Sequence, residues 1–108
     1  GDVAKYITFL NDLHANFIQK LDSVQEGDGT LLDNTLCFYG CATSKTHRAI
    51  NYPIILSGGK NLGFKHGSHL SYSDDVPLSN LFVTIANQLS RPTDTFADST
   101  ADVTEVLA

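Results

Sequence analysis

The chain has 108 residues, of which 42% are hydrophobic, so it suits one domain with a modest core. Seven Lys and Arg residues against twelve Asp and Glu residues give a formal net charge of −5, and the basic residues are scattered along the chain. This pattern argues against a nucleic-acid surface, and no apolar run is long enough to span a bilayer. We therefore predict one domain over residues 1–108, with no nucleic-acid partner and no membrane span.

The first predicted element is an amphipathic helix from Asp2 to Gln25. Its apolar side chains recur every three or four residues: Val3, Tyr6, Ile7, Leu10, Leu13, Phe17, Ile18, Leu21 and Val24. Asp2 is expected to cap the first turn, and the glycines in residues 26–29 supply a stop and a turn. The helix is predicted to be an outer layer on a sheet, with His14 as a packing residue at the edge of the stripe.

Two short segments, 35–39 and 53–56, are apolar on both faces, which is typical of strands covered on both sides in a parallel sheet. A polar loop, residues 40–52, joins them. Loops that leave the carboxyl ends of parallel strands are where open α/β sheets carry their sites. The predicted fold class is therefore α/β, with a mostly parallel sheet of few strands and two main helices.

The second half of the chain begins with a glycine-rich stretch, residues 57–73, in which we expect a loop and at most one short hairpin. Pro77 is expected in the first turn of a second helix that reaches Leu89. After Pro92 a polar tail wraps the surface or frays. Its predicted anchors are Phe96, Val103, Val106 and Leu107. These elements supply too few strands for a complete doubly wound sheet, so the chain is predicted to be part of a larger protein.

Cys37 and Cys41 are the only cysteines, and their C-x3-C spacing differs from that of zinc ribbons or thioredoxin-like sites. The favoured interpretation is two small buried residues at a strand and its exit. The alternative is a disulfide between them, if the parent protein is exported.

Residues 26–36, Glu-Gly-Asp-Gly-Thr-Leu-Leu-Asp-Asn-Thr-Leu, are followed by Tyr39-Gly40. This run closely resembles the start of the carboxyl-terminal region of an uncharacterised bacterial family named for an HXXSHH motif. Further similar runs follow in the family's order: Asn51-Tyr52-Pro53, Gly58-Gly59, Gly67-Ser68-His69-Leu70, Pro77-Leu78-Ser79-Asn80-Leu81, and Asp94 to Thr100. The HXXSHH segment itself does not occur in this chain.

The family is similar to the alkaline phosphatase and sulfatase superfamily. The resemblance therefore implies the C-terminal part of a larger protein with an alkaline-phosphatase-like three-layer sandwich. If the parent is an enzyme, the resemblance implies a metal-dependent hydrolase of phosphate or sulfate esters, with a divalent metal as cofactor. The chain alone is expected to be inactive, because the superfamily's nucleophile belongs to the amino-terminal part.

The resemblance also indicates candidate site residues. His47 matches the first histidine of a His-x-His pair in the family, Ala49 replaces the second, and the loop contains no carboxylate. His47 and His69 are candidate metal ligands, and an H-x2-H site of His66 with His69 is a weaker alternative. The alternative in the same loop is an anion-binding site formed by Lys45, Arg48, Ser44 and Thr46.

A second hypothesis is a non-catalytic binding or structural module that has lost metal ligands such as the one replaced by Ala49. Asp28, Asp33 and Asn34 are expected to cap turns rather than to take part in chemistry. The expected partners are the rest of the parent chain and, for the chain alone, other copies of itself. Self-association is predicted because a truncated sheet leaves an unpaired edge and an uncovered apolar face.

Overall fold

A computed structural model describes all 108 residues. In chain order the elements are helix α1 (Asp2–Ser23), strands β1 (Gln25–Glu26), β2 (Gly29–Thr30), β3 (Leu36–Gly40) and β4 (Ile54–Gly58), and helix α2 (Ser79–Gln88). Short 3-10 helices lie at Leu31–Asn34, Lys45–His47, Lys60–Leu62 and Thr104–Val106. Both predicted helices and both predicted strands are present within a few residues of their expected bounds.

The predicted α/β fold, a fragment of an alkaline-phosphatase-like three-layer sandwich with a mostly parallel sheet, is wrong. β1 pairs with β2 and β3 pairs with β4, and both pairs are antiparallel. In the larger pair Leu36 lies opposite Gly58, and Gly40 lies opposite Ile54. Parallel neighbours need a long crossover connection, usually a helix, whereas the 41–53 connection holds only a 3-10 turn. The chain is therefore a small α+β structure. The predicted strand direction failed because apolar runs indicate covered strands without fixing their direction.

The β3–β4 pair lies between the two helices. Tyr39 stacks on His14 of α1, with ring centroids 4.3 Å apart and planes 12° apart, which confirms His14 as a packing residue. On the other face, Phe38 contacts Phe82 of α2 at a centroid distance of 5.7 Å. Successive strand residues point to opposite faces, so these neighbours on β3 contact different helices.

The segment between α1 and β3 is held by local hydrogen bonds. The Thr30 backbone N–H donates to Asp33 Oδ2 at 3.0 Å, and the Asp33 N–H donates to Thr30 Oγ1 at 3.4 Å. This capping box confirms Asp33 as a turn-capping residue. Asp2 does not cap α1 with its side chain, because it is already the first helical residue and Gly1 occupies the cap position.

The best-buried part of the molecule forms where α2 meets the tail. Leu81, Val83, Val103 and Phe64 are all buried, and Phe64 forms an isolated bridge with Leu107. The tail therefore wraps the surface, and its predicted anchor Val103 is confirmed. The ring centroids of Phe96 and Phe82 lie 6.0 Å apart in an edge-to-face arrangement, but the Phe96 side chain stays half exposed. α2 begins two residues later than expected, with Pro77 preceding it.

Helix α1 has no buried residue. The chain exposes 7823 Å², whereas a compact protein of 11.7 kDa exposes about 5,900 Å². Its radius of gyration is 15.3 Å, against about 13 Å for a compact domain of this length. Six of the fourteen exposed large hydrophobic side chains lie on α1. Neither helix combines the length and apolar content required to cross a bilayer.

Candidate functional site

The loop that carries most predicted site residues is the connection of an antiparallel pair. It leaves β3 at Gly40 and returns into β4 at Ile54. A site at the carboxyl ends of parallel strands is therefore not expected at this loop, because only β3 ends there and β4 begins there. Any chemistry at this loop must come from its own side chains and from what surrounds it.

Within the loop, the predicted anion-binding hydroxyls are engaged with the backbone. The Ser44 backbone N–H and its Oγ both donate to the Arg48 carbonyl, at 2.7 and 3.2 Å. Thr46 Oγ1 donates to the Lys45 carbonyl at 2.6 Å. The side chains of Lys45 and Arg48 are exposed, as is His47. These contacts close a tight turn and leave the two cations accessible to solvent.

The turn has an uncommon backbone. Thr46 and His47 have φ values of 59° and 58°, and Asn51 has 47°, all in the left-handed region where glycine is usual. The loop contains no glycine between Gly40 and Gly58 to take these positions. His47 is thus presented from a left-handed turn at the surface.

The two other histidines of the predicted site lie in the segment that follows β4. His66 Nε2 lies 2.6 Å from the Gly58 carbonyl oxygen and forms a hydrogen bond with it. His69 is exposed. The structure brings together no group of three or more His, Cys, Asp or Glu side chains that could hold a metal ion. His47 and His69 thus stay predicted ligands of a site that other residues would have to complete.

Two ionisable groups in the same segment have shifted pKa values. Burial raises the pKa of Tyr72, and the negative charge of Glu105 adds to this effect. The Ser73 hydroxyl donates a hydrogen bond to the exposed Asp75 carboxylate, which lowers the pKa of Asp75. Neither group lies among the predicted site residues, and both shifts reflect local contacts.

The two cysteines are free and differ in environment. Cys37 is buried in β3, and its burial raises the pKa of the thiol. Cys41 is exposed in the loop after the strand. The prediction of two buried cysteines is therefore confirmed for Cys37 and wrong for Cys41, because the chain has already left the sheet at that point.

A buried polar cluster that was not predicted from the sequence joins α2 to the tail. Asn80 is only 3% exposed, and its Oδ1 accepts hydrogen bonds from the backbone N–H groups of Thr100 and Ala101, at 2.8 and 3.3 Å. Ser79 Oγ donates to Asp98 Oδ1 at 2.7 Å. Thr84 Oγ1 accepts from the Val103 backbone N–H at 2.7 Å. These bonds hold the tail on the helix, because buried polar groups need partners.

One signal in the sequence could have revealed this cluster. Three polar residues, Ser79, Asn80 and Thr84, interrupt a helix whose remaining stripe is apolar. A second polar run, residues 98–100, follows the helix closely enough in the chain to fold back onto it. Short polar side chains near a helix start commonly bond to backbone groups, so the two runs are natural partners.

Two of the runs named in the sequence form contacts that hold the fold. The Pro77–Leu81 run and the 94–100 run contact each other through the Asn80 cluster. Gly58 has φ 78°, and a Cβ there would meet the Thr35 carbonyl oxygen. Ala97 has φ 51°, which also lies in the left-handed region.

No protein-family model, curated protein sequence or solved structure matches this chain.

Proposed function

We propose that this chain is a non-catalytic, structural C-terminal part of a larger protein of the HXXSHH-motif family, which resembles the alkaline phosphatase and sulfatase superfamily. The observation that carries the proposal is the contact between the 77–81 and 94–100 runs. Residues that resemble the family there form the buried hydrogen bonds of Asn80 and Ser79. These runs therefore serve to hold the tail against α2.

The environment of the predicted ligands also supports a structural role. His47 and His69 are exposed, the loop holds no carboxylate, and Lys45 and Arg48 place positive charge beside His47. A divalent cation is held by several donor groups, preferably with carboxylates among them, whereas this loop offers His47 beside two cationic side chains and no carboxylate. The chain would thus contribute packing surface to the parent protein, with no metal chemistry of its own.

The uncovered surface of the chain is the part that would contact partners. β3 and β4 form a pair of only two strands, and α1 has no buried side chain. In the parent protein, further strands would pair with the outer edges of β3 and β4. The chain alone would associate with other copies of itself, since exposed apolar surface drives association.

Hydrolysis and metal binding can be tested on the chain as it stands. The purified chain, supplied with zinc, manganese or calcium, should hydrolyse para-nitrophenyl phosphate and para-nitrophenyl sulfate no faster than a heat-denatured control. Thermal unfolding with and without each metal should show no shift that depends on His47 or His69. A stabilising shift that disappears in His47→Ala or His69→Ala would overturn the non-catalytic proposal and favour the hydrolase hypothesis.

The family assignment has a separate test. The DNA upstream of the segment that encodes this chain should encode an HXXSHH motif. An upstream sequence without that motif would contradict the assignment, whatever the hydrolysis assays show.

A further inference from the structure

Helix α1 carries an apolar face that no other part of the chain covers. We define its outer face by Val3, Tyr6, Phe9, Leu13 and Phe17, whose exposed fractions range from 50% to 73%. These side chains fall within about 120° of the helix surface. The adjoining side of the helix is the one that contacts β3, through the His14 stack and a 3.1 Å hydrogen bond from the Tyr39 hydroxyl to Asn11 Oδ1.

The outer face is large enough for a specific interface. An aromatic ring buries 150–250 Å² when fully enclosed, so each half-exposed ring offers on the order of 100 Å². Three rings and two aliphatic side chains give about 500 Å² per copy, or about 1,000 Å² for a pair. This area reaches the lower limit of specific protein interfaces, and the chain exposes about 1,900 Å² more than a compact protein of its mass.

The charges of α1 favour a second copy of the same helix in the antiparallel direction. Lys20 lies beside the outer face near the carboxyl end, and Asp2 lies in the first turn. A parallel pair would bring the two Lys20 ammonium groups together and align the helix dipoles. An antiparallel pair brings each Lys20 towards Asp2 and the Tyr6 ring of the other copy, so that opposite charges and a cation–π contact replace the repulsion.

We propose that two copies of this chain associate through the outer faces of α1, packed antiparallel with Leu13 near the two-fold axis. A two-fold interface must be self-complementary, and this face meets that condition with apolar side chains at its centre and opposite charges at its ends. The proposal rests on the self-association proposed above and is independent of the family assignment.

Light scattering over a concentration series tests the interface with a matched pair of variants. Leu13 and Leu89 are both 50% exposed, but Leu89 lies at the carboxyl end of α2. The wild type should be a dimer at high concentration, and Leu13→Lys should raise its dissociation constant at least tenfold, because two lysines would face each other at the axis. Leu89→Lys should leave the dissociation constant unchanged.

The outcomes distinguish two proposals, that the chain self-associates and that it does so through the outer face of α1. A wild type that stays monomeric up to about 1 mM would overturn both, since such a weak pair is worth less than about 4 kcal/mol. A dimer that survives Leu13→Lys but is lost in Leu89→Lys would keep self-association and place the interface elsewhere. Circular dichroism of both variants should match the wild type, because each replaces a half-exposed side chain.

Disulfide trapping tests the antiparallel direction. In a Cys41→Ser background, the variants Tyr6→Cys and Lys20→Cys are mixed and oxidised. The antiparallel pair should yield the mixed 6–20 crosslink, because disulfides form only when the Cα atoms lie within about 7 Å. Crosslinks confined to 6–6 and 20–20 pairs would overturn the antiparallel arrangement.

Discussion

The two helices of this chain have similar amphipathic patterns but very different surroundings. α2 buries five residues, including Leu81 and Val83, beneath the tail, whereas α1 buries none along 22 residues. The difference arises because the tail returns to α2 and is bonded there by Asn80 and Thr84, while α1 contacts the rest of the chain only along one flank. An apolar stripe shows that a helix face should be covered, and tertiary contacts decide whether this chain covers it.

The largest expected effect compares the same substitution on the two helices. Leu81→Ala removes a buried side chain and should lower the free energy of unfolding by about 3 kcal/mol through lost burial and a cavity. Leu13→Ala, at a half-exposed position, should lower it by less than about 0.5 kcal/mol. Urea unfolding at a concentration below the dissociation constant found by light scattering measures both on the monomer. Equal losses would show that α1 is as well covered as α2.

A second comparison concerns the hydrogen bonds that hold the tail. Asn80→Ala leaves the Thr100 and Ala101 backbone N–H groups without their partner and should cost about 2 kcal/mol. Asn87→Ala is the control, because its bonds to Thr93 lie at the exposed surface and should be worth less than about 1 kcal/mol. Hydrogen exchange should also rise in residues 98–103 of the Asn80 variant alone. Unchanged exchange there would contradict the anchoring role.

A third substitution should stabilise the tail. Ala97 has φ 51°, a conformation that costs a residue with a Cβ roughly 1 kcal/mol. Ala97→Gly should therefore raise the free energy of unfolding by up to about 1 kcal/mol, reduced by the greater flexibility of glycine in the unfolded chain. Ala101→Gly serves as the control and should not stabilise, since Ala101 has no positive φ. Destabilisation by Ala97→Gly would contradict the left-handed backbone at this position.

The smallest expected effect is a pH dependence from β3. Burial raises the pKa of Cys37, so the folded chain holds the thiol proton more tightly than the unfolded chain. The resulting stabilisation is fully present below the unfolded pKa of about 8.5 and is lost as the pH rises through the folded value. Unfolding between pH 7 and pH 9.5 should show this decline in Cys41→Ala and not in Cys37→Ala. A decline that persists without Cys37 would assign it to another group.

Much of the local structure was predictable from the sequence. Apolar spacing predicted both helices, two-sided apolar runs predicted β3 and β4, and Asp33 was expected to cap a turn. The strand direction was not predictable, because a parallel and an antiparallel strand with both faces covered have the same apolar pattern. The expected location of the candidate site at the carboxyl ends of parallel strands depended on that direction, whereas the site residues themselves stay a prediction.

What the sequence determined by itself is the two helices and the strands β3 and β4, since helix periodicity and strand composition act over a few neighbouring residues. Tertiary structure alone decided the antiparallel pairing of β3 with β4, the burial of Asn80 beneath the tail, and the exposure of α1. Each of these depends on contacts between residues that are distant in the chain. Local preferences cannot specify such contacts, because their free energy comes from burial and hydrogen bonding between the elements that meet.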